Sequence, residues 1–426
     1  MSKFDFLIIG NSAAAVGAVE AIRGVKNTGS IGIISSEPYH VYSRPMISDR
    51  LTENADIEDM AYRPSDFYDK NRVSLIAGRT ATAVHPNDKR VNLDVGDPVE
   101  YGKLMLSTGA KPIKPPIPGV SSAGVHFFTT FDEACGVADD LTDVHEIVVI
   151  GGGLIGMQAA EALCKLGRKV TVVEMCDRVL ALNLDEHASS MTQAVFEEHG
   201  VSFRCSNRVN EIVADEGGRA CSVILGAGEK IGCQLVVVAA GVAPRIELAK
   251  ELGIACNKGI VVNEFMQTSV DDIYAAGDIA EAYDLLLDQH RLIPIWPNAY
   301  LEGRCAGMAM AGKPTPFRGE IAMNSAHFFG FPVISAGITE PGPGITELLD
   351  QDAPDGCYRR IFMRKNVPIG MVMTGDAVDN SGIILNLIKN KSDATAYLDK
   401  LGKCSFDSAH LPPEQREIKR EGKETL

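Results

Sequence analysis

The chain of 426 residues lacks several features that would each point to a particular class of protein. Its ten cysteines are scattered singly, without a CxxC or CxxxxC pair, so no spacing predicts a zinc site, an iron–sulfur cluster or a redox dithiol. No apolar run is long enough to span a bilayer, and the first predicted strand begins by Phe4, which leaves no room for a signal peptide. We therefore expect a cytoplasmic protein without a membrane partner or a metal, in which most cysteines are small core residues.

An excess of positive charge is also missing. The 41 Lys and Arg residues are outnumbered by 56 Asp and Glu residues, which gives a net charge of −15. A nucleic acid or an anionic membrane would repel such a chain, so neither is an expected partner. The length suggests about three domains, and the alternating helix and strand patterns indicate α/β layers.

The clearest signal in the sequence is the stretch from residue 147 to residue 174, which reads as strand, glycine turn, helix and strand. Gly151 allows the tight turn, Gly153 lets a pyrophosphate approach the backbone, and Gly156 lets the helix and the strand pack closely. The helix N-terminus, which begins with Leu154 and Ile155, would hold the phosphates.

Glu174 ends the second strand of this unit, where a carboxylate can accept both hydroxyls of a ribose. It would also repel a 2′-phosphate, and the next arginine is only Arg178. The pattern therefore predicts a dinucleotide site that favours NADH over NADPH.

The N-terminal stretch predicts a second, degraded site of the same kind. A buried strand over residues 4–9 leads into Gly10, and the small residues Ser12 and Ala15 replace the other two glycines. Glu37, after the next strand, is the candidate ribose acid. Taken alone, this turn could equally belong to a purely structural βαβ unit.

Together the two turns resemble the FAD- and NAD(P)-dependent pyridine nucleotide-disulfide oxidoreductase family, over residues 4–382. The resemblance also rests on residues 101–112, on residues 239–244 and on TSVDDIYAAGD at 268–278. It implies an α/β fold with two Rossmann-like dinucleotide-binding domains, as in glutathione reductase, and a small α+β C-terminal domain. The expected division is an FAD domain at 1–118 and 245–320, an NAD domain at 119–244, a C-terminal domain at 321–410 and a charged tail at 411–426. In the C-terminal domain we expect strands over 356–363 and 368–374 and a helix over 381–389.

Many members of the family reduce disulfides through a cysteine near the first ribose acid, but the first cysteine of this chain is Cys135. The equivalent position falls near Tyr42 and Ser43, and a serine hydroxyl cannot form a disulfide. The segment YSRPMIS at 42–48 instead resembles that of rubredoxin reductases, ferredoxin reductases and the flavoprotein part of NADH-dependent nitrite reductases.

By this likeness the family's site residues can be carried over position by position. Gln158 stands where relatives have a glutamate that touches the nicotinamide, and Leu154 stands where a tyrosine lid is frequent. The residues implied for FAD are Gly10, Ser12, Ala13, Ala14, Glu37, Arg44, Pro45, Thr108, Gly109, Asp278, Pro297 and Asn298. Those implied for NAD are Gly151, Gly153, Leu154, Ile155, Gly156, Gln158, Glu174 and Gly241.

The resemblance implies an FAD-dependent NADH oxidoreductase that passes electrons to a rubredoxin- or ferredoxin-like protein or to an iron–sulfur subunit, and it allows a homodimer. An NADH oxidase or peroxidase, and a non-catalytic electron-transfer subunit or redox sensor, are the alternatives. No side-chain nucleophile is needed. His327 could deliver a proton, but a lone histidine among aromatic residues is more commonly a satisfied interior residue. The densest basic group, expected to dock the acceptor unless it is simply a solvated strand face, comprises Arg359, Arg360, Arg364 and Lys365.

Overall fold

A computed structural model describes residues 2–26, 28–351 and 357–417 of the protein. Seven strands form its first sheet: β1 (Ser2–Ile9), β2 (Ile31–Ser35), β3 (Val73–Ala77), β4 (Ala81–His85), β5 (Arg90–Leu93), β6 (Val99–Leu106) and β18 (Ile273–Ala275). Their order is β3-β2-β1-β6-β5-β4, and β18 pairs with β6. The pairs among β1, β2, β3, β6 and β18 are parallel, so the carboxyl ends of these strands meet at one edge.

The second sheet has five parallel strands in the order β11-β10-β9-β15-β8. They are β8 (Val125–Phe127), β9 (Glu146–Ile150), β10 (Lys169–Val173), β11 (Ser202–Arg204) and β15 (Leu235–Val238). The associated helices are α4 (Phe131–Asp139), α5 (Leu154–Lys165) and α6 (Glu186–Glu198), and an antiparallel meander contains β12 (Val209–Ala214), β13 (Ala220–Leu225) and β14 (Lys230–Gly232).

Two short strands connect these sheets. The chain leaves the first sheet through β7 (Ala110–Pro112) and returns through β16 (Val242–Pro244), and the two strands pair antiparallel. After the return, the chain forms α7 (Glu247–Glu251) and a small sheet of β17 (Ile260–Val261), β19 (Ala280–Asp284) and β20 (Gln289–Leu292).

Helices α1 (Ala13–Val25) and α8 (Trp296–Met310) cross very closely beside the first sheet, while α2 (Asp49–Thr52) and α3 (Phe67–Lys70) are single turns. Glycines make this crossing possible. A Cβ atom on Gly303 would lie 2.0 Å from the carbonyl oxygen of Ala14, and one on Gly17 would lie 2.2 Å from that of Tyr300. The two backbones therefore touch along the first half of α1 and the middle of α8.

The C-terminal sheet is antiparallel, in the order β21-β22-β25-β24-β23. Its strands are β21 (Met323–Phe328), β22 (Phe331–Gly337), β23 (Ile345–Asp350), β24 (Tyr358–Arg364) and β25 (Val367–Thr374), followed by α9 (Ser381–Lys389), α10 (Leu398–Leu401) and α11 (Pro413–Glu417). The strand expected from residue 356 begins at Tyr358, and Gly356 lies outside the described residues. The expected charged tail includes α11, while residues 418–426 are likewise outside the described part.

The C-terminal sheet is anchored to the second sheet by a buried polar cluster. Asp185 caps α6 by accepting from the Ala188 N–H, and its other oxygen accepts from the Tyr358 hydroxyl at 2.6 Å and from the Arg360 guanidinium at 3.0 Å. Phe329, at the β21–β22 turn, stacks on the His199 ring of the second unit at 3.9 Å. Two distant parts of the chain thus hold each other in place.

Most of the cysteines lie in a hydrophobic core or pack against one, as expected, although few are fully buried. Of the eight free cysteines in the described ranges, only Cys233 and Cys305 are buried. Cys357 and Cys404 form a disulfide, although no spacing motif indicated a dithiol, because the two residues are 47 positions apart.

Candidate dinucleotide sites

The first glycine turn lies at the carboxyl end of β1. Gly10 has a φ of +117°, and a Cβ there would lie 2.0 Å from the carbonyl oxygen of Ser107, so only glycine fits. Ser12 is the N-cap residue of α1 and makes no side-chain cap bond, while Ala13 and Ala14 are buried in the first turn of the helix. The positive end of a 13-residue helix is thus presented beside the sheet edge.

A carboxylate–guanidinium pair stands next to this turn. Glu37 accepts from the Tyr42 hydroxyl at 2.7 Å and forms an ion pair with Arg44, whose guanidinium also donates to the Thr129 carbonyl at 3.0 Å. Burial opposes the charge of Arg44, but Glu37 and Tyr42 outweigh it and raise the pKa of the guanidinium. The ribose acid and the cofactor arginine predicted from the sequence are therefore adjacent and bonded to each other. Pro45 follows Arg44 in a single 3₁₀ turn.

Thr108 and Gly109 follow β6 at the same sheet edge. The Thr108 hydroxyl donates to the Arg245 carbonyl at 2.7 Å, and the Arg245 N–H donates to the Gly109 carbonyl at 2.9 Å. Gly109 has a φ of +66° and open space where a Cβ would be. The pKa of the Arg245 guanidinium is lowered, first by burial and second by the positive charge of Arg44. Arg245 is therefore a second guanidinium close to Arg44, and the groups around this sheet edge form the first candidate cleft. Sequence reasoning missed Arg245, because it lies 137 residues from Thr108.

Asp278 reaches the same cleft from the turn after β18. Burial raises the pKa of its carboxyl, and Arg44 acts in the opposite direction, so the two groups are neighbours. The Gly277 N–H donates to Glu302 of α8 at 2.8 Å. Glu302 is 2% exposed, and burial raises the pKa of its carboxyl well above the usual value. Glu302 is a second site-proximal residue that no sequence motif revealed.

The start of α8 supplies the remaining FAD candidates. Pro297 is exposed in the first turn of this helix, and Asn298 is buried with an amide nitrogen that makes no hydrogen bond. Trp296 is half-buried and packs edge to face on Tyr62 at 4.9 Å. The start of α8 therefore has the packed rings of Trp296 and Tyr62 beside the Asn298 amide nitrogen, which makes no hydrogen bond.

The second glycine turn follows β9 and has the geometry that its sequence predicted. Gly151 has a φ of +110°, and a Cβ on Gly156 would lie 1.9 Å from the Gly151 carbonyl oxygen. Gly153 is the N-cap residue of α5 and has open space where its Cβ would be, so an anion can approach the backbone there. Leu154, Ile155 and Gln158 are half-buried along the first turns of α5.

Glu174 lies beside this turn at the end of β10. One carboxylate oxygen accepts from the Gly152 N–H at 2.5 Å and the other from the Cys176 N–H at 2.7 Å. Gly241, exposed at the start of the return crossing with a φ of +97°, accepts from the Ile113 N–H at 2.9 Å. The acid is thus held against the glycine turn by the backbone.

Two predictions about side chains outside the turns need correction. His327 is exposed on β21 and does not lie in the interior among the aromatic residues. Of the basic group expected to dock an acceptor, Arg359 is fully buried and donates to the Lys403 carbonyl, and Arg360 is bonded to Asp185 and Glu347. Only Arg364 and Lys365 are exposed.

The residues of the first cleft fit a flavin dinucleotide. Gly109 has open space where its Cβ would be, and α1 directs its N-terminus at the sheet edge. The carboxylates of Glu37 and Asp278 can accept hydrogen bonds from hydroxyl groups. The guanidinium groups of Arg44 and Arg245 can bind phosphate oxygens. The second cleft fits a nicotinamide dinucleotide, with an open glycine at the helix start and an acid for the ribose. In the described ranges no three His, Cys, Asp or Glu side chains are grouped so as to hold a metal ion, and no helix is both long and apolar enough to cross a membrane.

Two sheets, each with parallel strands that lead to a glycine turn and an acid at their carboxyl ends, define a flavoprotein that binds two dinucleotides. The chain belongs to the pyridine nucleotide-disulphide oxidoreductase family, whose model matches residues 4–303. Residues 323–392 match the rubredoxin NAD+ reductase C-terminal domain. The protein is an FAD-dependent NAD(P)H oxidoreductase, and this confirms the family, the fold class and the two cofactors predicted from the sequence.

Several known proteins are similar over most of the chain. The NADH-dependent phenylglyoxylate dehydrogenase subunit epsilon of Aromatoleum evansii is 31% identical over 92% of each chain. The rhodocoxin reductase of Rhodococcus erythropolis is 36% identical over 74% of each chain. The crystal structure of a ferredoxin reductase from Rhodopseudomonas palustris superposes with a TM-score of 0.83 at 25% identity, covering 94% of this chain and 100% of that one. The chain spans only about half of two Bacillus subtilis relatives, 48% of a nitrite reductase and 51% of an assimilatory nitrate reductase electron transfer subunit.

Proposed function

We propose that this protein takes electrons from NADH and passes them through FAD to a small redox protein or to an iron–sulfur partner subunit in the cytoplasm. The observation that carries the proposal is the combination of two dinucleotide clefts with the absence of any cysteine before Cys135. Tyr42 and Ser43 lie near the position where relatives that reduce disulfides carry a thiol. Electrons must therefore leave the flavin without a thiol relay.

The first cleft is proposed to hold FAD. Gly10 and the α1 N-terminus would receive the pyrophosphate, Glu37 and Arg44 would contact the adenosine half, and Asp278 would accept from the ribityl hydroxyls. The full set comprises Gly10, Ser12, Ala13, Ala14, Glu37, Arg44, Pro45, Thr108, Gly109, Asp278, Pro297 and Asn298. The two chain crossings at β7 and β16 support the division of the chain at residues 118 and 244.

The second cleft is proposed to hold NADH. The α5 N-terminus receives the pyrophosphate and Glu174 the ribose, while Gln158 can donate to a carboxamide oxygen. The set comprises Gly151, Gly153, Leu154, Ile155, Gly156, Gln158, Glu174 and Gly241. Bound flavin supplies hydride acceptance and single-electron release, and this chain supplies alignment and exclusion of water.

The acceptor is proposed to be a small electron-transfer protein, since relatives are named as reductases of rhodocoxin, rubredoxin and ferredoxin. A net charge of −15 gives no long-range attraction for an acidic partner, so docking must depend on a local surface. Arg359 and Arg360 are unsuited to this role because one is buried and the other is paired twice. The exposed Arg364 and Lys365 remain available.

A second candidate is an electron-transfer subunit of a larger enzyme. The similarity to a dehydrogenase subunit over 92% of both chains favours it. An NADH oxidase or peroxidase is disfavoured, because the position that would bear its thiol falls near Tyr42 and Ser43.

The decisive experiment is anaerobic titration of the purified protein with NADH. We expect a yellow protein that bleaches with one equivalent of NADH, turns over with a dye, and reacts slowly with oxygen and peroxide. A colourless protein that gains no flavin absorbance with added FAD would refute the proposal. If the protein reduces a dye but transfers no electrons to rubredoxin or ferredoxin, the second candidate, an electron-transfer subunit of a larger enzyme, would be favoured.

Thiol alkylation tests whether any cysteine takes part in the reaction. Dye reduction by NADH should survive it largely intact, since Cys305 is buried with a pKa raised to about 12 by burial, and Cys176, the exposed cysteine, has a raised pKa. Rapid and complete loss of activity, with protection by NADH, would show that a thiol takes part.

A further inference from the structure

An ion pair between the second unit and the C-terminal sheet stands close to the proposed NAD ribose site. Arg178 follows Glu174 by four residues, and one of its terminal nitrogens donates to Glu340 at 2.6 Å. The other terminal nitrogen donates to Asp177 at 3.1 Å. Glu340 lies in the loop between β22 and β23, so a loop of the C-terminal sheet holds an arginine of the nucleotide-binding unit.

The segment that carries Arg178 is folded onto the glycine turn. The Leu180 N–H donates to the Gly152 carbonyl at 2.8 Å, and a Cβ on Gly152 would lie 3.2 Å from both Val179 and Glu174. Burial makes the largest contribution to the raised pKa of the Cys176 thiol, and the negative charges of Glu174 and Asp177 raise it further. The positive charge of Arg178 lowers it, so all three charged groups are close to this thiol. Arg178 is therefore near the carboxylate that would accept the ribose hydroxyls.

A 2′-phosphate would have to sit beside this group of charges. Glu174, Asp177 and Glu340 contribute three negative charges and Arg178 one positive charge, so the sum is −2. A free arginine at this place would suit a phosphate dianion, because its planar group matches phosphate oxygens in a bidentate manner. Here both terminal nitrogens are already engaged by carboxylates.

We propose that Glu340 determines nucleotide specificity by withholding Arg178 from the 2′-phosphate of NADPH. Glu340 is a positioning residue, since it acts through Arg178 and does not itself contact the nucleotide. The inference rests on the proposed NADH site and deepens it. It adds a second source of NADH preference to Glu174, and this one resides in a different part of the chain.

The test uses two probes that differ only by one phosphate, ADP-ribose and 2′-phospho-ADP-ribose. Their dissociation constants are measured by calorimetry on the FAD-loaded protein at low ionic strength, where exposed charges are least screened. In Glu340→Gln we expect the 2′-phosphorylated probe to bind about three- to tenfold more tightly, while ADP-ribose binding stays unchanged. The ratio of kcat/KM for NADPH to that for NADH should rise by the same factor.

Three further variants make the result specific. In the double variant Glu340→Gln with Arg178→Gln the gain must disappear, because the freed guanidinium is the proposed phosphate ligand. Glu340→Ser should bind 2′-phospho-ADP-ribose more tightly as well, which would show that the glutamine amide is not the cause of the gain. Glu146→Gln is the matched control: it also removes one exposed carboxylate and one ion pair, with Lys169 at 2.7 Å, but lies at the far end of β9. It should leave the ratio of the two probes unchanged.

The outcomes separate the two proposals. If ADP-ribose does not bind the parent protein, both the NADH site and the role of Glu340 are refuted. If ADP-ribose binds but Glu340→Gln leaves the ratio unchanged, or if the gain persists without Arg178, only the role of Glu340 is refuted.

Discussion

Glu174 shows how one side chain can serve the fold and the ligand together. Its two carboxylate oxygens accept from the backbone N–H groups of Gly152 and Cys176. The backbone therefore fixes the acid in place, at the position where the proposed NADH site would have its ribose.

Replacing Glu174 by alanine should narrow the preference for NADH over NADPH about ten- to hundredfold. A hydrogen bond to a charged group contributes about 1.5–3 kcal/mol, and the repulsion of the 2′-phosphate is lost as well. The measurement is kcat/KM for both nucleotides with a dye acceptor. An unchanged ratio would show that Glu174 does not contact the ribose.

Glu302 carries a pH dependence that can be tested by itself. Its carboxyl is buried beside Asp278, and burial raises its pKa well above 4.5. Between the unfolded and the folded pKa the native state retains a proton that the unfolded state has lost. The free energy of unfolding therefore falls as pH rises through this window, by at most about 1.4 kcal/mol per pH unit.

In Glu302→Gln this contribution should vanish, because the amide cannot ionise while its oxygen still accepts from the Gly277 N–H. Urea unfolding of the FAD-loaded protein at pH 5 and pH 8 measures the effect. We expect a smaller loss of stability between the two pH values in the variant than in the parent. Equal losses would show that Glu302 does not hold a proton in the native state.

At the scale of elements, the crossing of α1 and α8 brings the first glycine turn and the segment of Asp278 together. The helices touch through glycine, since any Cβ on Gly303 would overlap the Ala14 backbone. The same two helices begin after the N-cap residues Ser12 and Ile295, so a change in the separation of the helices would displace both helix starts.

Gly303→Ala should destabilise the protein by about 1–3 kcal/mol, the usual effect of overpacking, and weaken FAD binding. Thermal unfolding and the dissociation constant of FAD are the two measurements. Gly24→Ala, in α1 but with open space around its Cβ, is the matched control and should stabilise by about 0.4–1 kcal/mol. Similar effects in both variants would show that close contact is not what Gly303 provides.

At the scale of the whole molecule, the C-terminal sheet is a fixed part of the nucleotide-binding unit. Asp185 is fully buried and is bonded by Tyr358 and Arg360 across this junction, while Glu340 reaches Arg178 from the same side. The expected role of Arg360 in acceptor docking therefore gives way to a structural one.

Arg360→Met should lower the free energy of unfolding by about 3–5 kcal/mol, because it leaves the buried Asp185 carboxylate without its cation. Chemical denaturation measures this loss. Lys169→Met, which breaks the exposed pair with Glu146, should cost no more than about 1 kcal/mol. If the two variants were equally stable, the junction would not depend on this ion pair.

The sequence by itself determined the two strand–turn–helix units and the acid that follows each of them. These signals are local: Gly10, Gly151 and Gly156 are required by backbone conformation or close approach within one unit, and apolar runs identify the buried strands. The family resemblance added Arg44, Thr108 and Asp278, which the fold brings to one cleft.

Only the tertiary structure decided which distant side chains meet. Glu302 and Gly277 are 25 residues apart, Tyr358 and Asp185 are 173 apart, and Arg178 and Glu340 are 162 apart. No periodicity or motif records such pairs, because they depend on how separately formed elements pack. The packing of elements also explains why the four clustered basic residues differ in their surroundings. Arg359 is buried, Arg360 is paired with carboxylates, and Arg364 and Lys365 are exposed. Neighbours in sequence on a strand point to opposite faces, and the packing of each face determines their role.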